Sequence, residues 1–125
     1  MMQSFDRDEI YRLIAALLKA IQNGERPALS AFAVSPAIHE EIIEELEYSG
    51  EQVTNLTVPP YHLAFKPDSS GRVPLDVYPT EDDPQSRRVA CQLWSAGQRT
   101  DLTLMADYSE KQEAAALTFR LLETQ

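Results

Sequence analysis

The hydrophobic period of this chain changes once, near its middle. Ile10, Leu13, Ile14, Leu17, Leu18 and Ile21 recur at helical spacing and form one apolar stripe. Further on, Val89, Cys91 and Leu93 alternate with Ala90, Gln92 and Trp94, and Leu102, Leu104 and Ala106 share one face, which is the two-residue period of strands. A helical stripe and a one-faced sheet bury themselves most simply against each other. Helices first and consecutive strands afterwards predict an α+β domain over residues 1–125, with N-terminal helices packed on a curved antiparallel meander sheet. The length, 125 residues, suits one domain with a core of its own.

Local signals place the elements. Asp6 and Glu9 have capping-box spacing, and Asn23-Gly24 is a helix stop, so the first helix is expected from Arg7 to Gln22. Pro27 suits the first turn of a short helix to Ala33. Ser35 caps a third helix, with Pro36 in its first position, where the missing N–H costs nothing. Ile38, Ile42, Ile43 and Leu46 form its apolar stripe and Gly50 ends it. Val58-Pro59-Pro60-Tyr61 reads as extended, with a strand beginning between Leu63 and Lys66. Asp68-Ser69-Ser70-Gly71 reads as a turn. Val73, Leu75 and Val77 alternate, but Pro74 and Pro79 allow only an edge strand. Arg88–Ser95, a turn at Ala96-Gly97-Gln98, Arg99–Tyr108 and Glu113–Glu123 complete the meander. The last segment carries two opposed signals. Its residues up to Ala116 favour helix by propensity, whereas Ala115, Leu117, Phe119 and Leu121 alternate, and the preceding strands need a partner. Strand is the expectation.

Charge narrows the function. Twenty acidic residues against eleven basic ones give a formal charge of -9. Such a surface repels nucleic acid and anionic lipid and attracts basic partners. Arg87-Arg88 is the only basic doublet, and it is expected in an intrachain ion pair. The single cysteine, Cys91, allows no disulfide within the chain and fits a reducing compartment. The N-terminal residues lack the pattern of a signal peptide, and no apolar run approaches the roughly 20 residues that span a bilayer. A cytoplasmic location is expected.

The order of these elements resembles the NTF2-like, cystatin-like class of small α+β folds. The segment from Cys91 to Leu104 also looks like a hairpin found in small bacterial proteins of this type. The resemblance implies a helix against a curved sheet. It leaves activity open, because such folds host enzymes, ligand binders and immunity proteins that neutralise toxins. Enzymes of the class place an Asp–His or Tyr–Asp pair inside the cone of the sheet, which makes His39, His62, Asp76, Asp101, Asp107 and the tyrosines the candidates. His39, among glutamates, reads as a surface residue. His62 beside Asp76 is the one conceivable catalytic pair, without further support. Asp101 reads as a turn residue and Cys91 as a small strand residue. Metal-ligand spacing, phosphate-binding loops and nucleophile elbows are all missing from the sequence, so no cofactor, metal or catalytic residue is assigned.

The most informative stretch is Glu40-Glu41-Ile42-Ile43-Glu44-Glu45-Leu46-Glu47. On a helix, Glu40 and Glu44 are neighbours, as are Glu41 and Glu45, and Glu44 and Glu47. Each such like-charge pair destabilises by about 0.2–0.5 kcal/mol. No lysine or arginine between Ser35 and Gly50 relieves them. A solvated helix face is the plain explanation. The sharper one is a docking face for a basic protein, extended by Glu81, Asp82 and Asp83 if their loop folds nearby. The leading expectation is an immunity protein, not an enzyme, that covers the basic cleft of a toxin domain, a nuclease in the first instance. Trp94, Tyr61 and Tyr108 are candidate aromatic anchors if exposed. The rivals are an NTF2-like enzyme or small-ligand binder with a cavity between the first helix and the sheet, and a subunit that dimerises through its sheet.

Overall fold

The computed structural model describes residues 7–80, 86–111 and 114–124. Asp6, the expected first cap, and Glu81, Asp82 and Asp83 lie outside the described residues. The chain runs α1 (Arg7–Asn23), α2 (Arg26–Ala31), α3 (Pro36–Ser49), a 3-10 turn (Val53–Asn55), β1 (Leu56–Thr57), α4 (Tyr61–Ala64), β2 (Leu75–Pro79), β3 (Ser86–Ser95), β4 (Gln98–Lys111) and β5 (Ala114–Thr124). This is an α+β fold with the helices before an open, curved antiparallel sheet, as the change of period predicts.

The helix boundaries follow the capping residues. The Ser35 hydroxyl accepts from the Ile38 N–H at 3.2 Å, with Pro36 at the first helical position. Gly50 stops α3 at φ 85°, a left-handed backbone that a Cβ would strain, and its N–H reaches the Glu47 carbonyl. The apolar stripe of α1 is almost wholly out of water, with Ile10, Ile14 and Leu17 at 0% exposure.

Among the described residues the sheet has five strands, in the order β1-β3-β4-β5, with β2 beside β1 along the same edge of β3. Val89, Cys91, Leu104 and Ala106 face the helices, at 0% exposure. One cluster joins them to α1, α2 and α3, so helices and sheet share a single core. Two register shifts bend the ladder. Between Gln92 and Trp94, Leu93 opposes an excess of residues on β4. The Thr100 side chain closes that gap: its hydroxyl donates to the Leu93 carbonyl at 2.7 Å and accepts from the Leu102 N–H at 3.1 Å. The second shift leaves Arg120 unopposed, because Met105 pairs Leu121 while Ala106 pairs Phe119. Bulges of this kind add bend and twist.

Three sequence expectations need correction. The segment from Leu63 to Lys66 begins no strand. Tyr61–Ala64 is instead a single helical turn, with the Leu63 N–H on the Pro60 carbonyl. It is held against α1 by aromatic edges, since Tyr61 meets Tyr11 at 5.1 Å and Phe65 at 5.8 Å between ring centres. The strict alternation expected of β5 also fails. The Arg120 bulge resets the phase, so Leu122 follows Phe119 against the core and Leu121 turns outward, 37% exposed. Finally, His39 is not a free surface residue. It is half-buried, and its Nε2 lies 3.1 Å from the Ile21 carbonyl in the last turn of α1. A helix end leaves its final carbonyls without partners, and His39 serves one of them while tying α3 to α1.

The run that favours helix by propensity, Glu110 to Ala116, is strand on both sides of residues 112–113. Glu110 pairs Ala115 and Ser109 pairs Ala116. Pairing with β4 outweighs an intrinsic preference of a few tenths of a kcal/mol per residue, a size of about 0–0.7.

Candidate acidic docking site

Helix α3 lies on the sheet with Ile42 and Leu46 buried and its opposite face in water. Glu40, Glu41, Glu44 and Glu47 are exposed, and Glu45 is half-buried. Glu45 accepts from the Thr124 hydroxyl at 2.9 Å, which fixes it above the end of β5. None of these five carboxylates forms an ion pair among the described residues. Because the helix begins at Pro36, all five lie beyond the first turn, where its positive end would have favoured them. The spacing that predicts repulsion is therefore kept on the folded helix. The four neighbouring pairs, Glu40–Glu44, Glu41–Glu45, Glu41–Glu44 and Glu44–Glu47, are expected to cost together about 1–2 kcal/mol.

Tyr48 completes this face and was missed in the sequence reading. It is 89% exposed, the most open large hydrophobic side chain among the described residues. Seven residues separate it from Glu41, two helical turns, so both point the same way, with Glu44 and Glu45 between them. The signal was present in the sequence, since Tyr48 lies well off the stripe of Ile38, Ile42 and Leu46. Of the expected aromatic anchors, Trp94 and Tyr108 are buried, at 8% and 2% exposure, and only Tyr61 is open. Tyr61 is engaged at the start of α1, where its hydroxyl donates to Asp8.

A groove of about 410 Å³ runs between α3 and β5. Apolar side chains of both elements line it, Ile38 and Ile42 from the helix and Phe119, Leu121 and Leu122 from the strand, together with Glu41 and Glu45 on the helix side and Arg120 on the strand side.

The residues expected to carry chemistry are kept apart. His62 is exposed on α4, beside the start of α1 on the helical side of the sheet. Asp76 is exposed on the other face, in register with Ala90. Asp101 is also exposed. Asp107 sits between two arginines on the outer sheet face, 3.0 Å from Arg88 and 3.6 Å from Arg120. Arg88 of the basic doublet thus pairs with a neighbouring strand, as expected. Cys91 is fully buried, and loss of hydration pushes its thiol pKa up to about 12, so it is held protonated and unreactive. Groups of acidic, histidine and cysteine side chains able to hold a metal are absent among the described residues. The interface of α1 with the sheet is occupied by Ile10, Ile14 and Leu17 rather than by polar groups.

The outer sheet face carries a second depression, of about 630 Å³, lined in part by Arg72, Asp76, Tyr78 and Thr103. Arg72 is committed there, donating to the Thr103 hydroxyl at 2.9 Å. The turn expected at Asp68–Gly71 is present and straps this end of the face. The Asp68 carboxylate accepts from the Ser70 hydroxyl at 2.6 Å, from the Ser70 N–H at 2.8 Å and from the Arg72 N–H at 3.1 Å. These bonds, the Ser70 hydroxyl foremost, hold its pKa below the ordinary 3.8, with a smaller contribution from Arg99.

Among the described residues, no helix is long and apolar enough to cross a membrane. No family model, no curated protein and no solved structure matches this chain.

Proposed function

We propose that this chain is an immunity protein that binds and neutralises a basic toxin domain, with a nuclease as the first class to test. One observation carries the reading: α3 presents five glutamates that have no ion-pair partner among the described residues, ending in an almost fully exposed tyrosine. A solvated face needs neither the repulsion nor the aromatic ring. A docking face gains from both. Uncompensated carboxylates speed the encounter with a basic cleft, by about 10- to 10³-fold in steered associations. Tyrosine supplies the buried contact on which binding energy concentrates. A nuclease cleft is built to receive phosphates, so a row of carboxylates can stand where they would lie. The net charge of -9 acts in the same direction. The order of helices and meander supports the resemblance to the NTF2-like, cystatin-like class, in which immunity proteins occur.

The test is neutralisation. Any neighbouring reading frame that encodes a basic nuclease domain is expressed with and without the chain, and growth is followed. Rescue is expected, with binding of the two purified proteins weakening as salt rises. Glu40→Lys with Glu44→Lys and Glu47→Lys should abolish rescue while the chain stays folded. Full rescue by that triple variant, or binding indifferent to salt, removes the acidic face from the mechanism.

A further inference from the structure

The outer sheet face is covered at one end and open at the other. Gln92 and Trp94 belong to this face, because they alternate with the core residues Cys91 and Leu93 and lie outside the core cluster, yet they are only 6% and 8% exposed. The segment 68–74 covers them. Arg72 donates to the Thr103 hydroxyl at 2.9 Å, and the Gln92 N–H donates to the Pro74 carbonyl at 2.8 Å. Arg99, whose guanidinium stands 5.8 Å from the centre of the Trp94 ring, reaches Asp68 at 3.6 Å. Under this cover, Gln92 Oε1 and Trp94 Nε1 are buried with no hydrogen-bond partner among the described residues. Buried polar atoms are rarely left so, and a chain that keeps an acceptor and a donor unpaired on one strand face keeps them at a cost.

The open end begins at Arg72. Asp76, Ala90 and Met105 stand opposite one another on β2, β3 and β4, and Gln92, Thr103 and Glu123 form the neighbouring row on β3, β4 and β5. Ala90 is the smallest side chain of either row, and the depression of about 630 Å³ opens there. Arg72, Asp76 and Glu123 all line it, and none of the three forms an ion pair among the described residues. Charges of both signs thus border one space without meeting. The bond to Thr103 uses only one of the several N–H donors of the Arg72 guanidinium.

A ligand that suits this border carries both signs. A plain anion is repelled by Asp76 and Glu123, and a plain cation by Arg72. We infer that the depression binds a free α-amino acid with an apolar side chain. Its carboxylate takes N–H groups of Arg72. Its ammonium group donates to Asp76 and to Gln92 Oε1, which lies diagonal to Asp76 across the β2–β3 ladder and is uncovered as Arg72 turns toward the carboxylate. Its side chain rests on Ala90 and Met105. This face of the sheet is turned away from α3, so the amino-acid site stands independently of the acidic docking reading.

The full chain is titrated with L-leucine, with leucinamide, which lacks the carboxylate, and with isocaproate, which lacks the ammonium group. Backbone amide spectra and the fluorescence of Trp94, the only tryptophan, are followed. L-leucine should shift the amides of Ala90, Thr103 and Met105 and change the Trp94 emission. Each analogue should bind at least about tenfold more weakly, the loss of one charge-assisted contact. Arg72→Gln and Asp76→Asn should each cost L-leucine about tenfold, and Gln92→Met about threefold. Asp76 is exposed and outside the segment 68–74, so its variant stays folded even where loss of Arg72 loosens the cover. Equal binding of the three compounds, binding unchanged by Asp76→Asn, shifts confined to other faces of the chain, or no shift at millimolar L-leucine overturns the site. The two readings fail separately. The chain with Glu40→Lys, Glu44→Lys and Glu47→Lys should lose neutralisation and keep L-leucine binding. If L-leucine fails to bind the native chain while that variant still loses neutralisation, the amino-acid site falls alone.

Discussion

Helices α1 and α3 lie against the same sheet but differ in how they use their two faces. Six of the 17 residues of α1 are buried, against two of the 14 of α3. The polar side of α1 carries both signs, with Arg12 paired to Glu9 one turn away, and Lys19 further along. That of α3 carries one sign and an open tyrosine. The first helix is arranged as stability alone would arrange it. The second gives up burial and accepts repulsion, and returns an exposed surface with a defined charge. Burial and ion pairing explain α1 completely and α3 only in part, which is why the proposed docking face is placed on α3.

The largest expected effect tests the core side of this contrast. Leu17→Ala removes a side chain at 0% exposure from the middle of the shared cluster and should cost about 2–5 kcal/mol. Ile42→Ala on α3 should cost less. Its side chain borders the groove beside β5, so solvent can enter the space and reduce the cavity penalty. Denaturant titration of both variants gives the two numbers. Equal losses would mean that α3 is as much a core helix as α1, and the contrast would break.

Next in size is the chemistry of Cys91, fully buried in the cluster shared by the helices and the sheet. Its thiol pKa is raised from 9.0 to about 12 by burial. A raised value means that the folded chain keeps its proton where the unfolded chain has lost it. The resulting stability is complete below pH 9.0 and disappears as pH rises toward 12. Chemical denaturation at a series of alkaline pH values should show this decline, and Cys91→Ser should flatten it. At neutral pH, alkylation of the native thiol should be slower than in the unfolded chain by about 10³-fold or more, the reciprocal of the opened population. Fast native labelling would mean that α1 lifts from the sheet easily and is no fixed scaffold. Asp68 gives the opposite sign at the other end of the scale. Its lowered pKa adds stability that is present above pH 3.8 and lost as pH falls through the folded value.

The helices and the meander were legible because each is specified locally. The stripe of α1, the Ser35-Pro36 start and the Gly50 stop of α3, and the alternation of β3 all depend on residues a few positions apart. What was not legible depends on distant partners. Nothing near Leu63 announces that Tyr61 will meet Tyr11 and Phe65 edge-on in a helical turn where a strand is expected. The Arg120 bulge follows from register with β4, so the exposure of Leu121 could not be read from β5 alone. His39 looked like a surface residue because its partner, the Ile21 carbonyl, is 18 residues away. For the site, the glutamates were readable because helical spacing places them. Tyr48 was readable and overlooked. The groove was not, since it exists only where α3 meets β5.

About 1 kcal/mol is expected at the joint between the two helices. Ser35→Ala removes the cap of α3 and should cost about 0.5–2 kcal/mol. His39→Ala removes the bond to the Ile21 carbonyl and should cost about 0.5–1.5 kcal/mol. The two act on the same helix and should be less than additive. Urea titration of the single and double variants measures this. Full additivity would mean that α3 is anchored independently at each point, and His39 would then not be the tie between the helices.

The smallest effect is the most diagnostic, because its sign is unusual. Glu44→Lys converts repulsion of Glu44 with Glu40, Glu41 and Glu47 into attraction, and α3 should gain a few tenths of a kcal/mol or slightly more, about 0.2–0.5 per pair. A substitution that raises the melting temperature slightly while weakening capture of the basic partner separates what α3 needs for folding from what it keeps for binding. On α1 no such trade exists, since its charges are already of both signs. If Glu44→Lys leaves stability unchanged or lowers it, the carboxylates of α3 are not repelling one another. They are then retained at no cost to the fold, and their charge no longer sets α3 apart from α1.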